Sequence, residues 1–184
     1  DPDHDDHCPG ATIGILGGGQ LGRMIAMAAA QLGYRTHIYA PETSGPAADV
    51  SPSWTQGAYE DAAALAAFAE GVDVVTYEFE NIDPSAVEVL ASHGLVRPGA
   101  GALRIAQDRL AEKRFVADLG GLTAPFAPVD SLDDLETAIE TIGSRAILKT
   151  NRMGYDGKGQ ARINEPGDAV GAWNAIGRQP AILE

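Results

Sequence analysis

Residues 12–23 read TIGILGGGQLGR, and this stretch decides the fold class. The apolar run 12–16 predicts a buried strand, the glycines that follow predict a tight turn, and the Ala- and Met-rich segment 20–32 predicts a helix that Gly33 ends. A second apolar run at 35–39 completes a unit of strand, turn, helix and strand. Such a unit predicts a parallel sheet with a right-handed crossover, and therefore an α/β fold.

The glycines of this turn also have the spacing of a phosphate-binding motif, since Gly17, Gly19 and Gly22 fit G-x-G-x-x-G. Glycine lets a ligand approach the backbone, and the helix that follows offers free N–H groups and the positive end of its dipole. A nicotinamide dinucleotide site also needs an acidic residue about 20 residues further on, at the end of the second strand. That strand ends at Tyr39, and the acidic Glu42 lies beyond a proline. The dinucleotide interpretation is therefore disfavoured, and a tight turn without a ligand remains an alternative.

Apolar runs and helix signals extend the parallel-sheet domain over residues 12–98, after a polar segment 1–11 that predicts a disordered tail. The strongly apolar run 72–78 predicts a central strand that is buried on both faces. Asp83 as the N-cap and Pro84 at the first helical position predict the start of a helix. The other predicted elements of this domain are a helix at 61–69 and short strands at 53–56 and 95–97.

Residues 99–184 predict a second domain, which begins at a segment rich in proline and glycine. Ser131, with Asp134 three residues later, predicts the start of a capped helix. The other predicted elements are helices at 102–106, 108–119 and 168–176, extended chain at 123–129, and strands at 145–150, 160–163 and 181–184.

Residues 147–160 read ILKTNRMGYDGKGQ and predict a nucleotide-binding loop. Lys149 lies on a strand between apolar neighbours, so its ammonium group is held in place, and Arg152 and Lys158 add two cations to a pliable, glycine-rich segment. A mobile, cationic hairpin rich in backbone amides suits a triphosphate, whose oxygens it can neutralise during transfer. The loop joins strand to strand and lacks the G-K-[ST] ending, so it is not a Walker loop. An ordinary glycine-rich hairpin with a solvated lysine is the alternative.

Composition excludes several classes of function. The net charge of −13 disfavours a nucleic-acid partner, because an acidic surface repels phosphate backbones. The hydrophobic fraction of 45% is enough for a buried core. Cys8 is the single cysteine, which predicts a reducing, cytoplasmic location, and the sequence has neither an apolar run of membrane-spanning length nor a signal-peptide pattern.

Five segments taken together resemble the N5-carboxyaminoimidazole ribonucleotide synthetases, a family of ATP-grasp ligases in purine biosynthesis. The segments are GGGQLGR at 17–23, YEFEN at 77–81, QDR at 107–109, ILKT at 147–150 and GYDGKGQ at 154–160. The resemblance covers residues 12–184 and implies a Rossmann-like pre-ATP-grasp domain with a parallel sheet, followed by the first part of an ATP-grasp domain.

The resemblance also implies a reaction. ATP, bicarbonate and 5-aminoimidazole ribonucleotide would give N5-carboxyaminoimidazole ribonucleotide, ADP and phosphate through carboxyphosphate, with Mg²⁺ present and a homodimer as the assembly. The amine of the ribonucleotide would attack either carboxyphosphate or the carbon dioxide that carboxyphosphate releases. A closed lid is required because water would destroy carboxyphosphate. The metal ligands of the family are expected beyond Glu184, so no metal ligand is assigned within this chain, and the 184-residue chain alone is expected to be inactive.

The resemblance assigns roles to residues of both domains. Catalytic roles, where the family gathers substrate and bicarbonate, fall on Tyr155, Asp156 and Lys158. ATP contacts fall on Arg109, Lys149, Gly154, Tyr155, Asp156, Gly157, Lys158, Gly159, Gln160 and Glu184. The aminoimidazole ribonucleotide pocket falls on Gly18, Gly19, Gln20 and Leu21, with Glu78 and Asn81 as companions. Lys158 stands where some members carry Arg, which exchanges a fork of donors for a point charge.

Plainer interpretations remain for some of these residues. Arg109 lies on a predicted helix and fits a solvated face. Glu78 and Glu80 share one strand face and fit a solvated end of the sheet, although ligands favour the carboxyl ends of parallel strands, where both lie. Trp54 and Trp173 are expected to be packing residues.

Three other functions stay open from the sequence. One is another ATP-grasp carboxylase or amine ligase, similar to biotin carboxylase or glycinamide ribonucleotide synthetase. The second is a nicotinamide oxidoreductase, which would rest on the first glycine motif. The third is a binding module without catalysis.

Overall fold

A computed structural model describes residues 8–154 and 157–184 of the chain. The chain divides into two compact units, Asp1–Leu103 and Arg104–Glu184, and each unit has its own sheet. The predicted domain limits, residues 12–98 and 99–184, remain a prediction. Of the predicted tail, residues 8–11 are described, and within them the Gly10 N–H donates to the carbonyl of Gly33 at 2.8 Å.

The first unit is built on the strands β1 (Thr12–Leu16), β2 (Arg35–Ala40), β3 (Ser53–Gln56) and β4 (Val74–Tyr77). They form a four-stranded parallel sheet with the order β3-β2-β1-β4. The predicted parallel sheet is therefore confirmed. Its register pairs Ile15 with Ile38 on one side and with Thr76 on the other.

Two helices begin at the side-chain caps predicted for them, Asp83 and Ser131. Asp83 accepts a hydrogen bond from the Ser85 N–H at 2.8 Å, and Pro84 is the first helical residue, as predicted. The helices are α1 (Gln20–Gln31), α2 (Ala62–Glu70), α3 (Pro84–His93), α4 (Ala100–Ala106), α5 (Arg109–Asp118), α6 (Leu132–Ile142) and α7 (Ala169–Ala175), with short 3-10 turns at Pro46–Asp49 and Pro166–Asp168.

The position of β4 corrects the prediction of a central strand. β4 is the last strand of the sheet order, and on its other side a single parallel bridge joins Val75 to Val96. The predicted strand at 95–97 is therefore reduced to this one bridge. The apolar character of the run is explained by packing, because Val75 lies in a core cluster with Phe68, Val87 and Leu90 from two helices. Apolar periodicity reports burial, and burial by helices looks the same in sequence as a central place in the sheet.

The second unit contains the strands β5 (Ala127–Val129), β6 (Ala146–Thr150), β7 (Gln160–Ile163) and β8 (Ala181–Leu183). They form an antiparallel sheet with the order β5-β8-β6-β7. β6 lies inside this sheet and ends at Thr150, where the glycine-rich loop begins, and β7 returns the chain along it.

One core cluster supports this sheet. Leu135 from α6 and Trp173 from α7 pack with Leu148 from β6 and Ile163 from β7. Trp173 is 8% exposed, which confirms its prediction as a packing residue. Burial of each large aliphatic side chain stabilises the unit by about 1.5–3 kcal/mol, so β6 is held firmly where Lys149 projects from it. Within the described residues no helix has the length and apolarity that crossing a membrane requires.

Candidate functional site

The glycine turn after β1 encloses the carboxylate of Glu78. The Gly19 N–H donates to Oε1 of Glu78 at 2.8 Å, and the Gly22 N–H donates to Oε2. Both donors belong to the start of α1, where N–H groups have no partner within the helix. The carboxylate therefore occupies the position in which a helix N-terminus commonly binds an anion.

Glycine is required in this turn by the close approach of Glu78. Gly17 has φ = +103°, which disfavours any side chain, and a Cβ there would overlap the Glu78 side chain. A Cβ on Gly22 would lie 2.6 Å from the carbonyl oxygen of Gly17. The spacing G-x-G-x-x-G is thus explained by packing of the chain against itself.

This arrangement argues against the nicotinamide interpretation. A dinucleotide places its pyrophosphate on the N–H groups of such a turn. Here the two N–H groups of Gly19 and Gly22 are already bound to a carboxylate, whose charge would repel a phosphate. Glu78, which lies just after β4, replaces the ligand that this motif predicts.

Beside the turn lies a cleft of about 550 Å³ in the first unit. Tyr59 and Phe79 form part of its wall, with ring centroids 5.9 Å apart. Burial raises the pKa of the Tyr59 hydroxyl, and the negative charges of Glu42 and Glu78 raise it further. The cleft is therefore an acidic environment that favours neutral or cationic groups and hydrogen-bond donors. Its lining residues are Gly17, Gly18, Gly19, Glu42, Ser44, Gly45, Pro46, Trp54, Tyr59, Glu78 and Phe79.

Some of the residues predicted for the substrate pocket line this cleft and others do not. Gly18, Gly19 and Glu78 line it. The side chains of Gln20, Leu21 and Asn81 are exposed and are not among the lining residues. Their predicted role in substrate binding therefore rests on the resemblance alone.

Sequence reasoning missed Glu42, Tyr59 and Phe79 as cleft residues and treated Trp54 as a packing residue only. Trp54 packs beside a small core cluster, and its Nε1–H donates to the Glu42 carbonyl at 3.1 Å, yet its ring also lines the cleft. The signal was weak because these residues come from three separate segments.

In the second unit, Lys149 projects from β6 and forms an ion pair with Glu184, which follows β8. Lys113 of α5 forms a second ion pair with the same carboxylate. The three side chains are 14–23% exposed, so the cluster is largely shielded from water. Lys149 is thus held rather than solvated, which agrees with the prediction from its apolar neighbours.

The two lysines control the ionisation of Glu184. Partial burial raises the pKa of its carboxyl, but the hydrogen bonds and positive charges of Lys113 and Lys149 outweigh this, and the net pKa is lowered. Glu184 is therefore a carboxylate at neutral pH.

The start of the glycine-rich loop is anchored to the start of α5. The Arg109 guanidinium donates to the carbonyl of Gly154 at 3.0 Å, and the Arg109 N–H donates to the carbonyl of Asn151 at 3.0 Å. Arg152 donates to Oε1 of the buried Gln107 at 2.9 Å. Arg109 therefore does more than cover a solvated helix face, because it holds a segment 45 residues away in sequence.

The end of the loop returns to β6 through a backbone bond from the Thr150 N–H to the carbonyl of Gly159 at 2.8 Å. Gly157 has φ = +80° and Gly159 has φ = +67°, so both positions need glycine. Lys158 and Gln160 are exposed along this segment. Tyr155 and Asp156, predicted for catalysis and ATP contact, lie outside the described residues.

The predicted ATP-contact residues that the structure describes all belong to the second unit, and Arg109, Lys149, Gly154 and Glu184 are joined by two local networks around β6. Lys113 was not predicted as part of the site. Its signal was its place four residues after Arg109 on one helix face, which sequence alone could not distinguish from a solvated pair. Across residues 8–154 and 157–184, no group of three or more His, Cys, Asp or Glu side chains is arranged to hold a metal ion.

Comparison with known proteins gives one family match for the part of the chain that carries the cleft and another for the part that carries Lys149. Residues 10–107 match the family model of the ribonucleotide synthetase preATP-grasp domain. The chain belongs to the ribonucleotide synthetase pre-ATP-grasp family. Residues 114–184 match the model of the ATP-grasp domain, so the predicted fold class is confirmed for both parts of the chain.

Among curated relatives of this family member, the N5-carboxyaminoimidazole ribonucleotide synthase of Brucella melitensis is 51% identical over 96% of the chain and 49% of its own length. A bifunctional purine synthesis protein of Dictyostelium discoideum is 52% identical over 96% of the chain and 18% of its length.

The solved structures that the chain resembles belong to the same kind of synthetase. The N5-carboxyaminoimidazole synthetase of Staphylococcus aureus complexed with ADP matches with a TM-score of 0.90 and 38% identity, over 97% of this chain and 48% of that one. The synthase of Aspergillus clavatus in complex with ADP and 5-aminoimidazole ribonucleotide has a TM-score of 0.84 and 28% identity, over 96% and 46% of the two chains. The chain therefore spans about half the length of the synthases it matches.

Proposed function

We propose that the protein that carries this chain uses ATP to carboxylate 5-aminoimidazole ribonucleotide with bicarbonate, and so takes part in purine biosynthesis. The observation that carries the proposal is the ion pair of Lys149 and Glu184 beside the anchored glycine-rich loop. This segment matches the ATP-grasp domain, and the Aspergillus clavatus relative is described with ADP and 5-aminoimidazole ribonucleotide. Because the chain spans about half of such relatives, the activity is proposed for the whole protein.

The proposed reaction has two steps. A bicarbonate oxygen attacks the γ-phosphorus of ATP, ADP leaves, and carboxyphosphate forms. The amine nitrogen of the ribonucleotide then attacks the carboxyphosphate carbon, a proton leaves the nitrogen, and phosphate is released. Phosphorylation is needed because bicarbonate is a poor electrophile without a leaving group.

Residues of the second unit would bind ATP and neutralise the charge that moves during phosphoryl transfer. The Lys149 ammonium lies at a largely shielded position, where it would interact with phosphate oxygens more strongly than in water. The amides of the loop residues Gly154, Gly157, Gly159 and Gln160 would cover the triphosphate and exclude water. Tyr155, Asp156 and Lys158 are proposed to contact bicarbonate and the transferred group.

The cleft of the first unit is proposed to bind the aminoimidazole ring. The amino group on the ring offers hydrogen-bond donors, and the carboxylates of Glu42 and Glu78 are acceptors on the cleft wall. The Glu78 carboxylate accepts hydrogen bonds from the Gly19 and Gly22 N–H groups, which use two of its roughly four lone-pair positions. The remaining positions can accept from a ligand.

Four further features belong to the proposal. Bicarbonate is the proposed second substrate, a homodimer is the proposed assembly, and the cytoplasm is the proposed location, which the single cysteine Cys8 supports. Mg²⁺ is the proposed ion for ATP, since triphosphate sites of this kind use it to neutralise phosphate charge. The described residues do not assemble a group suited to it, so no metal ligand is assigned to them. Light scattering and cell fractionation test the assembly and the location.

The activity is tested by phosphate release from the full-length protein with ATP, Mg²⁺ and bicarbonate, with and without 5-aminoimidazole ribonucleotide. We expect release to depend on the ribonucleotide, and Lys149→Ala to lower kcat/KM by about 100-fold or more. Arg114→Ala, which removes an exposed cation from α5, is the matched control and is expected to keep full activity. No stimulation by the ribonucleotide would contradict the proposal.

The second candidate is another ATP-grasp carboxylase or amine ligase, because Lys149 and the loop would serve any of them equally. The same assay with biotin, or with glycine and phosphoribosylamine, distinguishes these enzymes. Stimulation by one of these substrates in place of 5-aminoimidazole ribonucleotide would favour the second candidate.

A further inference from the structure

Three charged side chains from different elements of the second unit meet at one point. Lys149 of β6 contacts Oε1 of Glu184, and Lys113 of α5 contacts Oε2 of the same carboxylate. The side chains of Lys113, Lys149 and Glu184 are 18%, 23% and 14% exposed. The carboxylate is therefore shared between two ammonium groups, each with its own oxygen.

Among residues 8–154 and 157–184, the ion pairs of this cluster place two cations against one anion, so its charges do not balance. A shielded ammonium without a counterion is unfavourable, so the cluster has capacity for one more negative charge. The place for that charge is beside Lys149, which projects from the strand that leads into the glycine-rich loop. A phosphate group is an anion that fits this position.

The ring of Phe126 supports Lys113 from another side. Its centroid lies 5.7 Å from the Lys113 ammonium, within the range of a cation–π contact. Lys113 is thus placed by Phe126 and Glu184 together, whereas Lys149 in the described contacts depends on Glu184. If a phosphate binds Lys149 in place of Glu184, Lys113 can still neutralise the Glu184 carboxylate.

We propose that Lys113 is a positioning residue, which neutralises Glu184 so that Lys149 is released to bind the phosphates of the nucleotide. This inference rests on the proposed ATP-dependent function. Without Lys113, Glu184 has Lys149 as its remaining cation in the cluster, and a phosphate must compete with the carboxylate for it. Lys113 acts through Glu184 and Lys149, and does not itself contact the nucleotide.

The test compares nucleotide affinities of full-length variants by isothermal titration calorimetry. Lys113→Met is expected to weaken ATP and ADP binding roughly tenfold, the scale of one lost charge-assisted hydrogen bond, and to leave adenosine affinity nearly unchanged. Lys113→Arg keeps the charge and is expected to bind ATP nearly as the unmodified protein does. Arg114→Met removes the same charge from the next, exposed residue and is expected to have no effect.

The same Lys113 substitution in a Glu184→Gln variant tests whether Lys113 acts through Glu184. In Glu184→Gln the carboxylate no longer competes for Lys149, so adding Lys113→Met is expected to weaken ATP binding less than about twofold further. An equal loss in both backgrounds, or an equal loss for adenosine and ATP, would show that Lys113 is merely structural and would overturn the proposal. If Lys113→Met lowers the folded fraction seen by circular dichroism, Lys113→Gln replaces it.

These outcomes separate the inference from the function on which it rests. If the unmodified full-length protein binds no ATP, the proposed function itself is wrong. If it binds ATP and Lys113→Met binds ATP equally well, the function stands and the role of Lys113 is wrong.

Discussion

The Glu78 carboxylate accepts a hydrogen bond from the Gly19 N–H at 2.8 Å, across 59 residues of sequence. This contact and its neighbour at Gly22 join the end of β4 to the start of α1. A turn that looks like a phosphate site in sequence is thereby closed by the protein's own carboxylate. The contact has consequences for stability and for ligand choice.

Glu78→Gln is expected to destabilise the first unit by about 1–3 kcal/mol, the cost of leaving a shielded donor without an acceptor. The amide has one acceptor oxygen, so its NH₂ group would face one of the two N–H donors of Gly19 and Gly22. Denaturant unfolding followed by circular dichroism measures the change. Glu70→Gln, an exposed position at the end of α2, is the control and is expected to lie within about 0.5 kcal/mol of the unmodified protein. Equal effects of the two substitutions would contradict the role of Glu78.

The same contact predicts that the chain does not bind a nicotinamide dinucleotide. A titration followed by NADH fluorescence is expected to show no saturable change up to millimolar concentration, because the Glu78 carboxylate repels the pyrophosphate. A parallel titration of the full-length protein with ATP, followed by intrinsic tryptophan fluorescence, is expected to saturate. Tight NADH binding without an ATP response would restore the oxidoreductase interpretation.

Two glycine substitutions are expected to have opposite effects. Gly17→Ala adds strain at φ = +103° and a Cβ that overlaps Glu78, so it should destabilise by more than about 1 kcal/mol. Gly101→Ala lies within α4, where a Cβ would meet no atom within 4 Å, so it should stabilise by roughly 0.5–1 kcal/mol. Thermal unfolding compares both with the unmodified protein. A neutral Gly17→Ala would refute the close packing of this turn.

Arg109 is expected to restrain the first part of the glycine-rich loop. Arg109→Met removes the donor to the Gly154 carbonyl. In a peptide that covers residues 146–154, the amides of the loop should then exchange roughly tenfold faster, because a charge-assisted hydrogen bond is lost. Hydrogen-exchange mass spectrometry without nucleotide measures this effect separately from ATP contact. Arg114→Met on the exposed face of the same helix should leave the exchange unchanged. Identical exchange in the two variants would remove Arg109 as the anchor.

The capping of α6 predicts a dependence of stability on pH. The Ser131 hydroxyl donates to Oδ2 of Asp134 at 2.7 Å, and this bond, with the Asp130 N–H, lowers the pKa of the Asp134 carboxyl below its ordinary value of 3.8. A lowered folded-state pKa means that the carboxylate stabilises the fold above about pH 4, and that this contribution is lost as pH falls through the folded-state value.

Asp134→Asn should therefore be less stable than the unmodified protein at pH 7, and the difference should shrink below about pH 4. Urea unfolding at a series of pH values measures it. Asp133→Asn, in the same exposed turn, is the control and should change stability less at pH 7. A difference for Asp134→Asn that is constant with pH would show that the capping bonds do not depend on its charge.

Much of the fold could be predicted from sequence because its signals are local. The glycines after β1, the cap at Asp83 with Pro84, and the cap at Ser131 each act within a few residues, and the observed elements begin where these signals predict. The hairpin around Lys149 was also predictable, since an apolar strand, a glycine-rich loop and a returning strand follow each other directly. The candidate ATP-binding residues could be named for the same reason, as a continuous motif.

The sequence by itself therefore determined the order of elements, the α/β class and the residues of the glycine-rich loop. The tertiary structure alone decided that β4 lies at the end of the named strands, that Glu78 closes the glycine turn, and that Lys113 joins Lys149 at Glu184. The physical reason is that turns, caps and periodicity depend on neighbouring residues, whereas these contacts depend on strand order and side-chain direction. Both are set by packing between segments far apart in the chain.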